Sequence, residues 1–141
     1  MAFSPWCLSD GRDWQVEVLE ETGLEKQLRD VNARRSDNPI LCLSHSVIDG
    51  NNAKIDHFMY IGLAKTVGYL NYCPTGDLPP FFISFNNGSK LDDMRTVGFS
   101  FATSRSEIPI RFCLPIEQIY QGACEYLRTG SIPKKVLWRE E

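Results

Sequence analysis

The chain lacks the usual carriers of chemistry. It has no Gly-x-Gly-x-x-Gly and no Gly-x-x-x-x-Gly-Lys-Ser/Thr, so no phosphate-cradling loop is encoded. Gly-x-Ser-x-Gly is missing, which removes the nucleophile elbow of the α/β-hydrolases. The zinc-deaminase signature, His-x-Glu with Pro-Cys-x-x-Cys, is missing too. No apolar run approaches the ~18 residues of a membrane span. The N-terminus has neither a basic n-region nor an apolar h-region, so no signal peptide is expected. Positive charge is not in excess. The net charge is −3, which disfavours direct nucleic-acid binding and suits a basic partner. Five cysteines form no Cys-x-x-Cys pair, as expected of a reduced, cytoplasmic chain.

What is present is ordinary globular composition. The 141 residues are 43% hydrophobic and 11% aromatic, enough for one domain with a real core. Leu114–Trp138 carries the fullest local instructions. Ile116, Ile119, Tyr120, Ala123, Cys124 and Leu127 repeat at helical spacing on one face. Pro115 suits the first helical position, Glu117 and Arg128 complement the dipole, and Gly130 suits a left-handed C-cap. Lys135–Trp138 reads as an edge strand, with Val136 and Trp138 on one face and Trp138 covering the sheet.

Met1–Asp13 reads as an irregular lead-in. Trp14–Leu19 alternates as a half-buried strand. Thr22-Gly23-Leu24-Glu25 matches a capping box, and Leu24, Leu28 and Val31 continue as a helical stripe. Glu25 and Arg29 form a favourable i,i+4 pair. Ile40–Leu43 is a short buried strand, and Asp49-Gly50-Asn51-Asn52 a turn. Ile55–Leu63 alternates, with Ile55, His57, Met59, Ile61 and Leu63 on one face. Val67–Tyr72 returns, and Gly68 marks a bulge or a close backbone approach. Phe81–Phe85 and Thr96–Ala102 are further strands. Ser104–Pro109 reads as a connection, and Ile110–Leu114 as an extended lead into the helix. The expected class is α+β: a single domain, residues 1–141, with a twisted, mainly antiparallel sheet and two packed helices.

Candidate chemistry is thin. Cys42, His45, His57 and Cys73 are the only zinc-like set, but residues three apart on a strand point to opposite faces. No cysteine stands where its pKa would visibly fall, so no nucleophile is expected. No cofactor, metal or catalytic residue is assigned. Acidic and polar turn residues remain: Asp49, Asn51, Asn52, Asp77, Asp92, Asp93 and Glu107. Beside the aromatics Tyr72 and Phe82 they could form a charged surface with anchors for a basic partner. The bland account of each is a solvated turn former.

The ending Tyr126-Leu127-x-Thr129-Gly130-x-x-Pro133-x-x-Val136-x-Trp138 after an apolar helix resembles that of one family of bacterial immunity proteins. These are antitoxins of polymorphic-toxin systems, commonly paired with nucleic-acid deaminase toxins. The resemblance runs back to about Phe58, through Tyr60–Tyr72 and Phe99–Phe101. Its residues are structural, so it marks a scaffold more than an activity. It implies a non-enzymatic, cytoplasmic antitoxin that binds a cognate toxin domain about one to one and occludes its active site. The implied toxin is a deaminase ahead of a nuclease. Such a complex is expected to bury at least ~1,600 Å². The alternatives are a small α+β enzyme using Cys and His or a metal, and a general protein-interaction module.

Overall fold

The computed structural model describes residues 5–90 and 93–141. The class is α+β, as expected. The strands are β1 (Trp6–Ser9), β2 (Gln15–Glu17), β3 (Ile40–Asp49), β4 (Asn52–Ala64), β5 (Val67–Cys73), β6 (Phe82–Ser84), β7 (Thr96–Phe101), β8 (Ser104–Pro109), β9 (Leu114–Pro115) and β10 (Trp138–Glu140). The helices are α1 (Glu21–Arg34) and α2 (Ile116–Thr129). The main sheet is antiparallel in the order β10-β6-β5-β4-β3-β1-β2, with β9 pairing beside β5.

Strand alternation divides the core in two. Leu8, Leu41, Leu43, Met59, Ile61, Leu63, Leu70 and Tyr72 face both helices, meeting Leu24, Leu28 and Val31 of α1 and Ile119, Ala123 and Tyr126 of α2. Ile40, Tyr69 and Ile83 face the other way and are covered by Phe99 of a separate β7–β8 hairpin. The single sheet expected from the sequence is therefore corrected to a sheet plus a two-stranded layer. Ser104–Pro109, read as a connection, is the second strand of that layer, and its register runs from Phe101↔Ser104 to Thr96↔Pro109. Its first four residues are exposed and polar, so no alternation betrays it.

Other local readings also change. The lead-in contains β1, which inserts between β3 and β2. Buried Asp10 organises the turn after it, accepting from the Arg12 and Trp14 amides and from Arg35 Nη1. The Thr22–Glu25 capping box does not form: α1 starts after Glu20, without a side-chain cap. Its carboxylates go elsewhere. Glu21 binds Arg128 at 2.9 Å, and Glu25 binds Arg29, whose other nitrogens hold Glu117 at 3.0 and 2.7 Å. Those pairs clamp α1 to α2. Pro115 sits at the N-cap of α2, one residue before the first helical position. A 3₁₀ turn (Ile110–Phe112) replaces part of the expected extended lead. Strand β10 begins only at Trp138, so Lys135–Leu137 are not strand. Val136 is still buried, and Trp138 is half-buried, its Nε1 donating to the Pro133 carbonyl at 2.8 Å.

The expectations for α2, Gly130 and Gly68 hold. Gly130 is left-handed at φ 69°, its amide donating to the Tyr126 carbonyl at 2.7 Å. Gly68 stands at a close backbone approach to Gly62. Asn32 joins the layers. Its side chain binds both Lys65 backbone groups and the Tyr120 hydroxyl, steadying Lys65 at φ 68°.

Candidate functional site

Strands β3 and β4 outrun their neighbours. Strand β1 accompanies β3 only from Cys42 to His45, and β5 reaches β4 only as far as Phe58. The remaining ribbon, from Ser46 to His57, closes through Gly50 and Asn51, with Gly50 at φ 65°. Register places Ser46 opposite Ile55 and Ile48 opposite Ala53, so these four side chains share a face. With Pro5, the residues Ser46, Ile48 and Ala53 line a shallow groove. Ile48 is 72% exposed, Ile55 57% and Val47 40%. These three side chains sit on the part of β3 and β4 that no neighbouring strand covers. Asp49, Asn51 and Asn52 lie at its tip and are exposed.

A β-bulge forms the root of the ribbon. His45 pairs with His57 and Ser46 with Ile55, which leaves Asp56 as the extra residue. The bulge breaks the alternation expected of Ile55–Leu63 and turns Ile55 away from the core. Trp6, His45 and His57 line up across three strands, with Tyr126 of α2 above them. The imidazoles stack with centroids 4.7 Å apart and planes 6° apart, and Trp6 meets His45 edge-on at 4.8 Å. His57 Nδ1 is 2.6 Å from the Tyr126 hydroxyl oxygen. One Asp56 oxygen lies 3.7 Å from His57 Nε2 and 3.9 Å from His45 Nδ1. Burial first, and then the neighbouring His45, lower the His57 pKa, while Asp56 acts against them.

The other candidate residues scatter. Asp77 is exposed in the loop after β5, where neighbouring Gly76 comes close to the Asp56 backbone. Tyr72 is buried, 5.5 Å from Tyr126, so it supports the core and offers no surface anchor. Phe82 is half-buried beside it. Asp92 lies outside the described residues. Asp93 precedes β7 and is held by Arg95 at 2.7 Å, which lowers its pKa to about 2. Glu107 accepts from Thr96 and Arg105. Among the described residues, the ribbon tip gathers Asp49, Asn51 and Asn52. Among the motif residues, Tyr126, Pro133 and Val136 are buried, while Thr129 is exposed and accepts from the Ser131 amide.

Of the zinc-like set, only the two histidines meet. Cys42 and Cys73 pair with Tyr60 and Phe58, on the opposite face. Burial raises all five thiol pKa values, those of Cys42 and Cys73 to about 12, so none is an activated nucleophile. The histidines, the bulged Asp56 and the ribbon's exposed isoleucines were not singled out together by sequence. The histidines carry the zinc-like spacing noted above, while Asp56 and the isoleucines carry only the period-two pattern, which the bulge interrupts.

Among the described residues no helix is long and apolar enough to cross a membrane. No curated protein matches the chain. The family model described as immunity protein Imm1 matches residues 12–140, extending the resemblance seen at the C-terminus across nearly all of the sequence, and the chain belongs to that family of immunity proteins.

Proposed function

We propose that this chain binds one cognate toxin domain, about one to one, and blocks its active site through the β3–β4 ribbon. The carrying observation is that ribbon: exposed Val47, Ile48 and Ile55 flanked by Asp49 and Asp56, on a chain of the immunity family. The apolar residues would supply affinity, and the carboxylates association rate and specificity. The toxin is a nucleic-acid deaminase, with a nuclease second, following the family that the C-terminal motif resembles. Either enzyme must present positive charge to phosphates, which matches carboxylates at the ribbon. The chain acts in the cytoplasm by occlusion, without turnover, cofactor or direct contact with nucleic acid.

The test is co-purification with the C-terminal domain encoded by the adjacent gene, followed by an assay of that domain's activity. A stable complex that silences the domain is expected. A domain that stays active and unbound in the presence of this chain would end the proposal.

A further inference from the structure

We propose that His45, His57 and Asp56 bind one divalent transition-metal ion of the zinc class at the root of the β3–β4 ribbon. Three donor atoms converge there: a nitrogen of each imidazole and a carboxylate oxygen, all within 4.8 Å of one another. Ligands held about 2.0–2.2 Å from a zinc ion stand somewhat closer together than this, so each need move only a few tenths of an ångström. Two imidazoles and one carboxylate suit zinc, nickel, cobalt or iron(II) and disfavour calcium and magnesium, which take oxygen ligands.

The surroundings fit such a site. His57 is held through Nδ1 by the Tyr126 hydroxyl, leaving Nε2 on the Asp56 side. A ligand histidine is usually anchored through its second nitrogen in this way. Nδ1 of His45 is buried and has no hydrogen-bond partner among the described residues; Asp56 at 3.9 Å is too far to serve. An orphaned ring nitrogen beside a carboxylate and a second imidazole is costly to bury, and a cation between them would satisfy all three. The stacked rings must turn for both lone pairs to meet the ion, and the χ2 torsion of histidine is broad enough to allow it. Asp56 is half exposed, so the ion can enter from solvent and keep a water ligand. Once bound, it would pin β3 to the bulge of β4 and stiffen the ribbon where it leaves the sheet. The inference needs no toxin, and is tested on the isolated chain.

The experiment titrates Co²⁺, and then Zn²⁺ against a chromophoric chelator, into the purified protein near neutral pH. The expected result is one ion per chain, with cobalt d–d bands and no thiolate charge-transfer band. Asp56→Asn and His45→Gln should each weaken binding by about tenfold or more, and Tyr126→Phe by at least about tenfold through the lost anchor of His57. Zn²⁺ should raise the melting temperature of the wild type and raise that of His45→Gln by less. Asp56 is exposed and Asp56→Asn nearly isosteric, so this variant decides the matter even if the others fold poorly. No saturable binding, a thiolate band, or unchanged affinity in Asp56→Asn would overturn the proposal.

Discussion

The carbonyl oxygen of Gly62 stands 2.2 Å from where a Cβ on Gly68 would be. The missing side chain of Gly68 lets β5 approach the β4 backbone, whereas that of Gly62 makes room for the Tyr69 and Phe99 rings. Backbone cannot swing aside as a side chain can, so Gly68→Ala should cost about 3 kcal/mol, the upper end of overpacking. Gly130 is a different case: a Cβ there meets nothing, and only its left-handed backbone resists. Gly130→Ala should cost about 1 kcal/mol. Urea denaturation of the two variants would test the order, and equal costs would refute the steric account of Gly68.

Tyr126 is fully buried, and its hydroxyl is 2.6 Å from His57 Nδ1. Tyr126→Phe leaves that partly buried nitrogen without its partner while keeping the ring contacts. Stability should fall by about 1–3 kcal/mol. Equilibrium unfolding measures this directly, and a neutral substitution would mean that solvent replaces the contact.

Trp138 is half-buried at the edge of the sheet, its ring 6.3 Å from that of Tyr72. A fully buried ring would lose ~3–5 kcal/mol on truncation to Ala. Partial burial and one indole hydrogen bond place Trp138→Ala lower, at about 2–3 kcal/mol. A thermal melt that does not shift would contradict the packing of the C-terminal strand.

Ile48 and Ile55 touch little of the core. Ile48→Ser with Ile55→Ser should change stability by under about 1 kcal/mol. The same pair should weaken toxin binding by about tenfold or more, as interface anchors do. Asp49→Lys should slow association with a basic toxin, whereas Asp93→Lys should not, because Asp93 is already bound to Arg95. Kinetics by surface plasmon resonance would distinguish them, and a reversed order would move the interface to the loop before β7.

Burial raises the thiols of Cys113 and Cys124 to about 11 and those of Cys42 and Cys73 to about 12. Thiolate is the reactive form, so alkylation at mildly alkaline pH should be slow in the folded chain and fast in denaturant. Mass spectrometry of iodoacetamide-treated protein reads this out. Rapid native labelling of buried Cys113 or Cys73 would contradict this.

Local pattern was legible wherever a segment's own residues decide its state. The stripe of α2, its glycine stop and the Glu25–Arg29 pair all follow from neighbours within a few residues. Strand β1 was illegible because Trp6-Cys7-Leu8-Ser9 is too short to alternate visibly, and its pairing with β3 lies far along the chain. The capping box failed for a related reason: Glu21 and Glu25 take arginine partners, and through Arg128 and the shared Arg29 they engage α2, about a hundred residues later.

The sequence by itself determined the α+β class, the C-terminal helix with its stop, and the motif through which the family can be glimpsed. Each depends on short-range periodicity or on a residue with unusual backbone freedom. Tertiary structure alone decided that one extra residue at Asp56 would turn Ile55 outward and set two histidines against a carboxylate. It also decided that β3 and β4 would outlast the strands beside them. Register and strand length come from pairing between distant segments, and such pairing leaves no local trace in the order of the amino acids.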